Sequence, residues 1–167
     1  MVSLRSALGY TYRSERGEKE TVVARKMKRG ARRRGGLTVD QAVIAVLIAA
    51  MDANQHVSPE EAARAHHIIW SMRRFRRKSG ETVDRLIETV RGRIVEDGMS
   101  AVLQQAARTV PARLRPSAFA VAVDLMLADT KLEREERQFM TRLATDLKVR
   151  ATLADDILRV MLIKNGA

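Results

Sequence analysis

The 167-residue sequence has no cysteine and only three prolines, and aromatic residues make up 4% of it. The absence of cysteine excludes disulfide scaffolds, thiol catalysis, cysteine zinc fingers and cysteine-ligated iron–sulfur clusters. The scarcity of aromatic residues argues against a β-sandwich or β-barrel, because strands are rich in β-branched and aromatic side chains. The apolar share of 46% comes mainly from Ala, Leu, Val and Met, which is typical of helices packed on helices.

The sequence also lacks a long apolar run. The longest, Ala42 to Met51, has ten residues, whereas a membrane-spanning helix needs about 20. Met1 to Tyr12 contain no apolar stretch of the ~7–15 residues that a secretory signal requires. We therefore expect a cytoplasmic protein with no transmembrane helix.

Positive charge is concentrated in the first 36 residues. They hold eleven Lys or Arg and three Glu, so they carry +8 of the total net charge of +11. With few apolar side chains to bury, residues 1–36 are predicted to be a disordered basic tail, and residues 37–167 one helical domain. Near the end of the tail, Arg32, Arg33 and Arg34 have the charge to bind phosphates of nucleic acid or of an anionic membrane. The absence of interleaved aromatic residues favours simpler explanations, a solubilising extension or a true start at Met27.

Regular helical spacing begins after the tail. Val39, Val43, Val46 and Ala50 share one stripe, and the apolar residues beside them predict a first helix that is buried on most of its circumference and ends near Asp52. A second helix is predicted from Ser58, its N-cap, to about Arg77. Five further helices are predicted over residues 82–96, 99–110, 116–128, 133–147 and 152–164, with Gly98 ending the third helix of the chain.

An internal repeat relates the two halves of this helical region. A shift of 75 residues aligns Ala42–Trp70 with Ser117–Thr145, and six aligned positions are identical. They include the glutamate pairs Glu60-Glu61 and Glu135-Glu136, each at a predicted helix start. The sequence therefore predicts an all-α fold, a compact bundle of about seven helices with a pseudo-repeated helix-turn-helix unit.

The two polar turns carry a resemblance to a known family. Residues 49–61 read Ala-Ala-Met-Asp-Ala-Asn-Gln-His-Val-Ser-Pro-Glu-Glu, and residues 127–136 read Leu-Ala-Asp-Thr-Lys-Leu-Glu-Arg-Glu-Glu. Both resemble the tellurite-resistance TerB-like family, whose turns typically show Ala-Asp-Gly, an apolar residue three positions after the Asp, and one or two Glu opening the next helix. The resemblance covers about residues 38–164. Asn54 stands where the family has Asp, and Gln55 and Thr130 stand where it has Gly.

The resemblance implies a role for these acidic turns, which in the family are suspected of binding a divalent metal or of forming an acidic contact surface. The residues implied as metal ligands are Asp129, Glu135 and Glu136 in the second half and Asn54, Glu60 and Glu61 in the first. The residues themselves favour a structural explanation. A glutamate in a first helical turn complements the helix dipole and stabilises the helix by about 0.3–1 kcal/mol. No cofactor other than such a metal is predicted.

A second dense group of cations ends the second predicted helix: Arg73, Arg74, Arg76, Arg77 and Lys78. Cations suit a helix C-terminus, and their long stems cover apolar surface while the charged heads stay in water. The alternative is an anion-binding patch that acts together with Arg32, Arg33 and Arg34.

Catalysis has little support in the sequence, since it contains no phosphate-binding Gly loop, nucleophile elbow or His-Glu-x-x-His motif. We therefore expect a non-enzyme. The resemblance implies a helical interaction module linked to tellurite or general stress resistance, with a protein partner in a membrane-associated assembly and a peripheral position at the inner membrane face. The family domain also accompanies DnaJ-like co-chaperones, but this chain lacks the His-Pro-Asp motif of a J domain. The alternative function is electrostatic binding of nucleic acid or anionic membrane through the tail and the Arg73–Lys78 cluster.

Overall fold

A computed structural model describes residues 35–53, 65, 67–127 and 134–166. Most of these residues are helical, the others form turns or irregular connections, and the described residues contain no strand. The helices are α1 (Val39–Ala53), α2 (Gly80–Asp97), α3 (Met99–Thr109), α4 (Arg115–Met126), α5 (Arg134–Asp146) and α6 (Ala151–Asn165), with a 3-10 turn at Ala112–Leu114. A short helical segment at residues 67–71 precedes α2. The predicted all-α class is confirmed, and each of the seven predicted helices coincides with helical residues.

Helix α1 is the central element of the bundle. It packs against α2, α3, α4 and α5, and residues Ala42 to Leu47 are all buried. Apolar side chains on nearly all sides of this helix make such a position favourable, because a helix without a polar face must be covered by neighbours. The predicted burial of α1 is confirmed. No helix in the described ranges is long and apolar enough to cross a membrane.

Local side-chain hydrogen bonds fix where α1 and α2 begin. The Thr38 amide donates to Gln41 Oε1 at 2.8 Å, and the Gln41 amide donates to Thr38 Oγ1 at 3.3 Å. This reciprocal pair is a capping box, which satisfies two backbone donors that a helix start leaves open. At α2, Ser79 Oγ accepts from the Thr82 amide at 3.3 Å, so α2 begins two residues before the predicted Thr82.

Gly98 is the single residue between α2 and α3. Its φ of 84° and ψ of 149° lie in a region that is almost closed to residues with a Cβ atom. Its amide donates to the Ile94 carbonyl at 2.9 Å, while its carbonyl accepts from the Val102 amide at 3.2 Å. One glycine therefore ends α2 and begins α3, as the sequence predicts.

The second predicted helix ends earlier than expected. The helical segment stops at Ser71, and Met72 to Lys78 form consecutive turns in which the Phe75 amide donates to the Met72 carbonyl and the Lys78 amide to the Phe75 carbonyl. The prediction of a helix to Arg77 was wrong, because the backbone from Met72 to Lys78 winds mostly through i→i−3 bonds, with one i→i−4 bond from the Arg76 amide to the Met72 carbonyl; within these turns Phe75 is completely buried. The predicted cap at Ser58 lies outside the described residues.

The repeat is visible in the arrangement of helices. A shift of 75 residues places α1 over α4 and the helical segment 67–71 over the end of α5. Both α1 and α4 are largely buried, and they pack against each other. The two halves therefore share one core.

An ion-pair clamp joins α6 to α4. Asp124 is only 8% exposed. Its two carboxylate oxygens accept hydrogen bonds from Lys164 Nζ at 2.7 Å and from Asn165 Nδ2 at 3.0 Å. The clamp fixes the C-terminal end of α6, a helix in which Ala154 is the buried residue.

Candidate interaction surfaces

The predicted cationic cluster forms a corner of the bundle between the helical segment 67–71 and α2. We call residues Arg73, Arg74, Arg76, Arg77 and Lys78 the cationic corner. The buried Phe75 side chain anchors this corner from within. Residues 72–78 form turns rather than a helix, so the cationic side chains point in several directions around Phe75.

Two members of the corner are held by one carboxylate. Asp40, in the first turn of α1, accepts a hydrogen bond from Arg74 Nε and forms an ion pair with Lys78 Nζ at 2.9 Å. The side chains of Arg74 and Lys78 are 32% and 29% exposed. These two cations therefore attach the corner to α1, which is a structural role.

The other three members point outward. Arg73, Arg76 and Arg77 are exposed, and none of them forms an ion pair with another residue in the described ranges. They present three guanidinium groups in five residues of chain. The geometry therefore supplies an anion-binding surface smaller than the five-cation patch of the sequence prediction. Arg32, Arg33 and Arg34, which we expected to act with the corner, lie outside the described residues.

The two glutamates at the start of α5 differ in their exposure to solvent. Glu135 is exposed, whereas Glu136 is 7% exposed and belongs to the buried face of the helix. Neighbouring residues of an α-helix point about 100° apart, so one of these side chains faces solvent and the other the buried side of the helix. Their position in the first turn suits the helix dipole.

The remaining predicted metal ligands, Asn54, Glu60, Glu61 and Asp129, lie outside the described residues. Across the part of the chain that the structure describes, no three His, Cys, Asp or Glu side chains are grouped as a metal site. Metal binding at the acidic turns therefore stays a prediction that depends on Asp129.

Sequence reasoning missed an arginine surface on α5. Arg134, Arg137 and Arg142 are exposed and line one shallow pocket with Gln138 and Thr141. None of the three arginines forms an ion pair with any described residue. The signal was present, since positions 134, 137, 138 and 141 follow the spacing of one helix face. Because Glu135 and Glu136 lie beside these arginines, the start of this helix was interpreted as an acidic site instead. We call Arg134, Arg137 and Arg142 the α5 arginine face.

An apolar groove lies beside the α5 arginine face, between α5 and α6. It has a volume of about 290 Å³. Its edges carry Arg137, Thr141 and Thr145 on α5 and Asp155 on α6. The apolar residues that line it are Phe119, Met140, Ala144, Val149, Ala151, Ala154 and Leu158. We call this the α5–α6 groove.

These observations define a class, a small all-α bundle in which, within the described residues, two helical segments are repeated at a spacing of 75 residues and the outer surfaces are charged. A family model described as "Tellurite resistance protein TerB" matches residues 40–157, well over half of the chain. The chain therefore belongs to the TerB family, and the predicted family resemblance is confirmed. Comparisons with curated proteins and with solved structures gave no match.

Proposed function

We propose that this protein is a non-catalytic interaction module that acts by docking onto a partner protein, in a process linked to tellurite or general stress resistance. The observation that carries the proposal is the TerB family match over residues 40–157, which spans the helical core. The resemblance to the family further suggests a membrane-associated assembly at the cytoplasmic side of the membrane.

The use of the carboxylates supports docking over catalysis. Asp40 joins α1 to the cationic corner, and Asp124 joins α4 to α6. Asp97 and Asp156 pair with arginines of their own helices. Asp40 and Asp124, which join different elements, are poor candidates for a general acid or base, because proton transfer would break the contacts they make.

The test is chemical cross-linking of the full chain in its source cells, grown with and without tellurite, followed by identification of cross-linked peptides. We expect one partner protein whose cross-links converge on one face of the bundle and whose recovery survives moderate salt. Cross-links scattered over all faces, with no partner enriched, would contradict the proposal.

The exposed arginines of the cationic corner favour a second candidate function, electrostatic binding of nucleic acid or of an anionic membrane. Polyanion binding releases counterions, so the binding constant for duplex DNA falls steeply with salt, with a log–log slope of about −0.9 for each phosphate contacted. A docking interface with an apolar centre depends far less on salt.

This second candidate is tested by titrating the protein with a short DNA duplex and with anionic vesicles at low and moderate salt. We expect Arg73→Gln/Arg76→Gln/Arg77→Gln to weaken binding and flatten the slope by about three units, by the same rule. The matched control removes three exposed arginines elsewhere that form no ion pair with a described residue, as Arg108→Gln/Arg113→Gln/Arg150→Gln. Equal losses in both triple variants would mean that net charge alone drives binding and that the corner is not a site.

A further inference from the structure

We infer that the α5–α6 groove is the docking site, and that it takes an acidic amphipathic helix of the partner protein, with the acidic edge of that helix against the α5 arginine face. This inference rests on the proposed docking function and names the surface and the chemistry of the partner. It follows from the composition, the length and the charge of the groove.

The lining of the groove is apolar and lies close to solvent. Met140, Ala144, Val149 and Ala154 keep only 4–9% of their surface exposed, while Leu158 on α6 is half-buried. Apolar anchors of a partner helix would cover the surface that these side chains still expose and would gain van der Waals contacts with a lining that is already packed on the core.

The length of the groove fits two turns of helix. Its α5 edge runs from Arg137 to Thr145, which at about 1.5 Å per residue is roughly 12 Å. Anchors at positions i, i+3 or i+4, and i+7 of a partner helix span about 10–11 Å by the same rise. The groove volume of about 290 Å³ lies at the lower limit of the range of about 300–1,000 Å³ that is common for pockets enclosing small molecules. The groove is therefore small for a ligand of that kind.

The charges at the edges of the α5–α6 groove favour an acidic partner helix and determine its orientation. Arg137 lies on the α5 edge of the groove, and the other two arginines of the α5 arginine face continue outward from it. None is paired with a described residue, so a partner carboxylate meets guanidinium groups that form no other ion pair there. Asp155 lies on the opposite edge and repels acidic residues. An acidic edge therefore faces α5, and an uncharged or basic edge faces α6.

The experiment selects a phage-displayed library of 16-residue peptides on the full-length protein and measures the affinity of the enriched peptides by fluorescence anisotropy. We expect enriched sequences with apolar residues at i, i+3 or i+4, and i+7 and with a net negative charge. Enrichment of basic sequences, or of sequences without this spacing, would overturn the inference.

Two pairs of variants locate the binding. Thr145→Trp places an indole in the groove, and its control Thr89→Trp is on α2. Both threonines are exposed and donate their hydroxyl to the carbonyl four residues earlier. We expect Thr145→Trp to weaken peptide binding by at least about tenfold, which is typical when the centre of an interface is lost. Thr89→Trp should weaken it by less than about twofold.

The second pair of variants tests the α5 arginine face. Arg134→Glu/Arg137→Glu should weaken peptide binding about as strongly as Thr145→Trp, and Arg108→Glu/Arg113→Glu should leave it nearly unchanged.

Several outcomes separate this inference from the proposed function. Peptides that bind equally well to Thr145→Trp, but are lost in Arg73→Gln/Arg76→Gln/Arg77→Gln, would refute the groove and leave docking at the cationic corner. Binding of dodecanoate that Thr145→Trp abolishes, with no peptide enriched, would assign the groove to an anionic amphiphile and overturn the partner helix. Self-association abolished by Thr145→Trp would assign it to a second copy of this chain. If no peptide is enriched and no partner cross-links in cells, the inference and the proposed function both fail.

Discussion

The Asp124 clamp should hold the C-terminal helix in place, and Asp124→Ala tests this. Helix α6 contributes Ala154 as its buried residue, while Val160 and Ile163 are exposed at 55% and 74%. Its apolar contacts with α4 and α5 are therefore only partial. Removal of the Asp124 carboxylate takes away acceptors for both Lys164 Nζ and Asn165 Nδ2, so the end of α6 should loosen first.

The expected loss of unfolding free energy is about 2 kcal/mol. A hydrogen bond to a charged group contributes about 1.5–3 kcal/mol when buried. The Lys164 side chain is 54% exposed, so solvent screening reduces its pair with Asp124 to about 1 kcal/mol or less. The bond to Asn165 is part-buried and should contribute most of the rest. Since Lys164 can move into water, the substitution leaves no buried unpaired charge behind.

The assay is urea unfolding of the full chain together with amide hydrogen exchange. The matched control is Asp156→Ala, which removes a pair with Arg159 whose side chains are 63% and 74% exposed and should cost less than about 0.5 kcal/mol. We expect Asp124→Ala to lower the unfolding free energy from the urea titration by about 2 kcal/mol and to speed exchange in α6 before the other helices. If the two variants are equally stable and exchange alike, the clamp adds no net stability and the reasoning is wrong.

Three further predictions address other parts of the molecule. Gly98→Ala should destabilise the fold by about 1–3 kcal/mol, because the backbone at Gly98 has a positive φ that a Cβ atom disfavours; urea unfolding checks it, and an unchanged midpoint would contradict it. Asp40→Ala should release Arg74 and Lys78 from their ion pairs and so tighten binding of a DNA duplex and steepen its salt dependence; weaker binding would mean that Asp40 positions the cationic corner for its ligand. If the acidic turns bind a divalent metal, millimolar calcium, manganese or zinc should raise the melting temperature of the wild type, and Asp129→Ala should abolish the rise; no response to any of these metals would remove metal binding at the acidic turns.

The helices were predictable because their determinants are local. The apolar stripe of α1 and the break at Gly98 can be read from neighbouring residues alone. The early end of the helical segment 67–71 could not be read in this way, and it coincides with the burial of Phe75 in a core built largely by distant helices. Tertiary contacts override local helix preference at such a position.

The surfaces were less predictable than the helices. The Arg73–Lys78 cluster was visible as a run of charge, but its division into attached and exposed cations depends on Asp40, which lies 34 residues from Arg74. The clamp between Asp124 and Lys164 joins residues 40 apart. A single sequence shows which charges exist, whereas their pairing across the bundle is set by how the helices pack.

The central position of α1 also has a consequence for synthesis of the chain. Its main neighbours are α3, which ends at Thr109, and α4, which ends at Met126. The end of α4 lies roughly seventy residues after the end of α1. At about 5–20 residues per second, the ribosome needs roughly 4–15 s to supply them. During that time the most apolar helix of the protein has emerged without the surfaces that cover it. The nascent chain is therefore most prone to aggregate, and most dependent on a chaperone, between the completion of α1 and the emergence of α4.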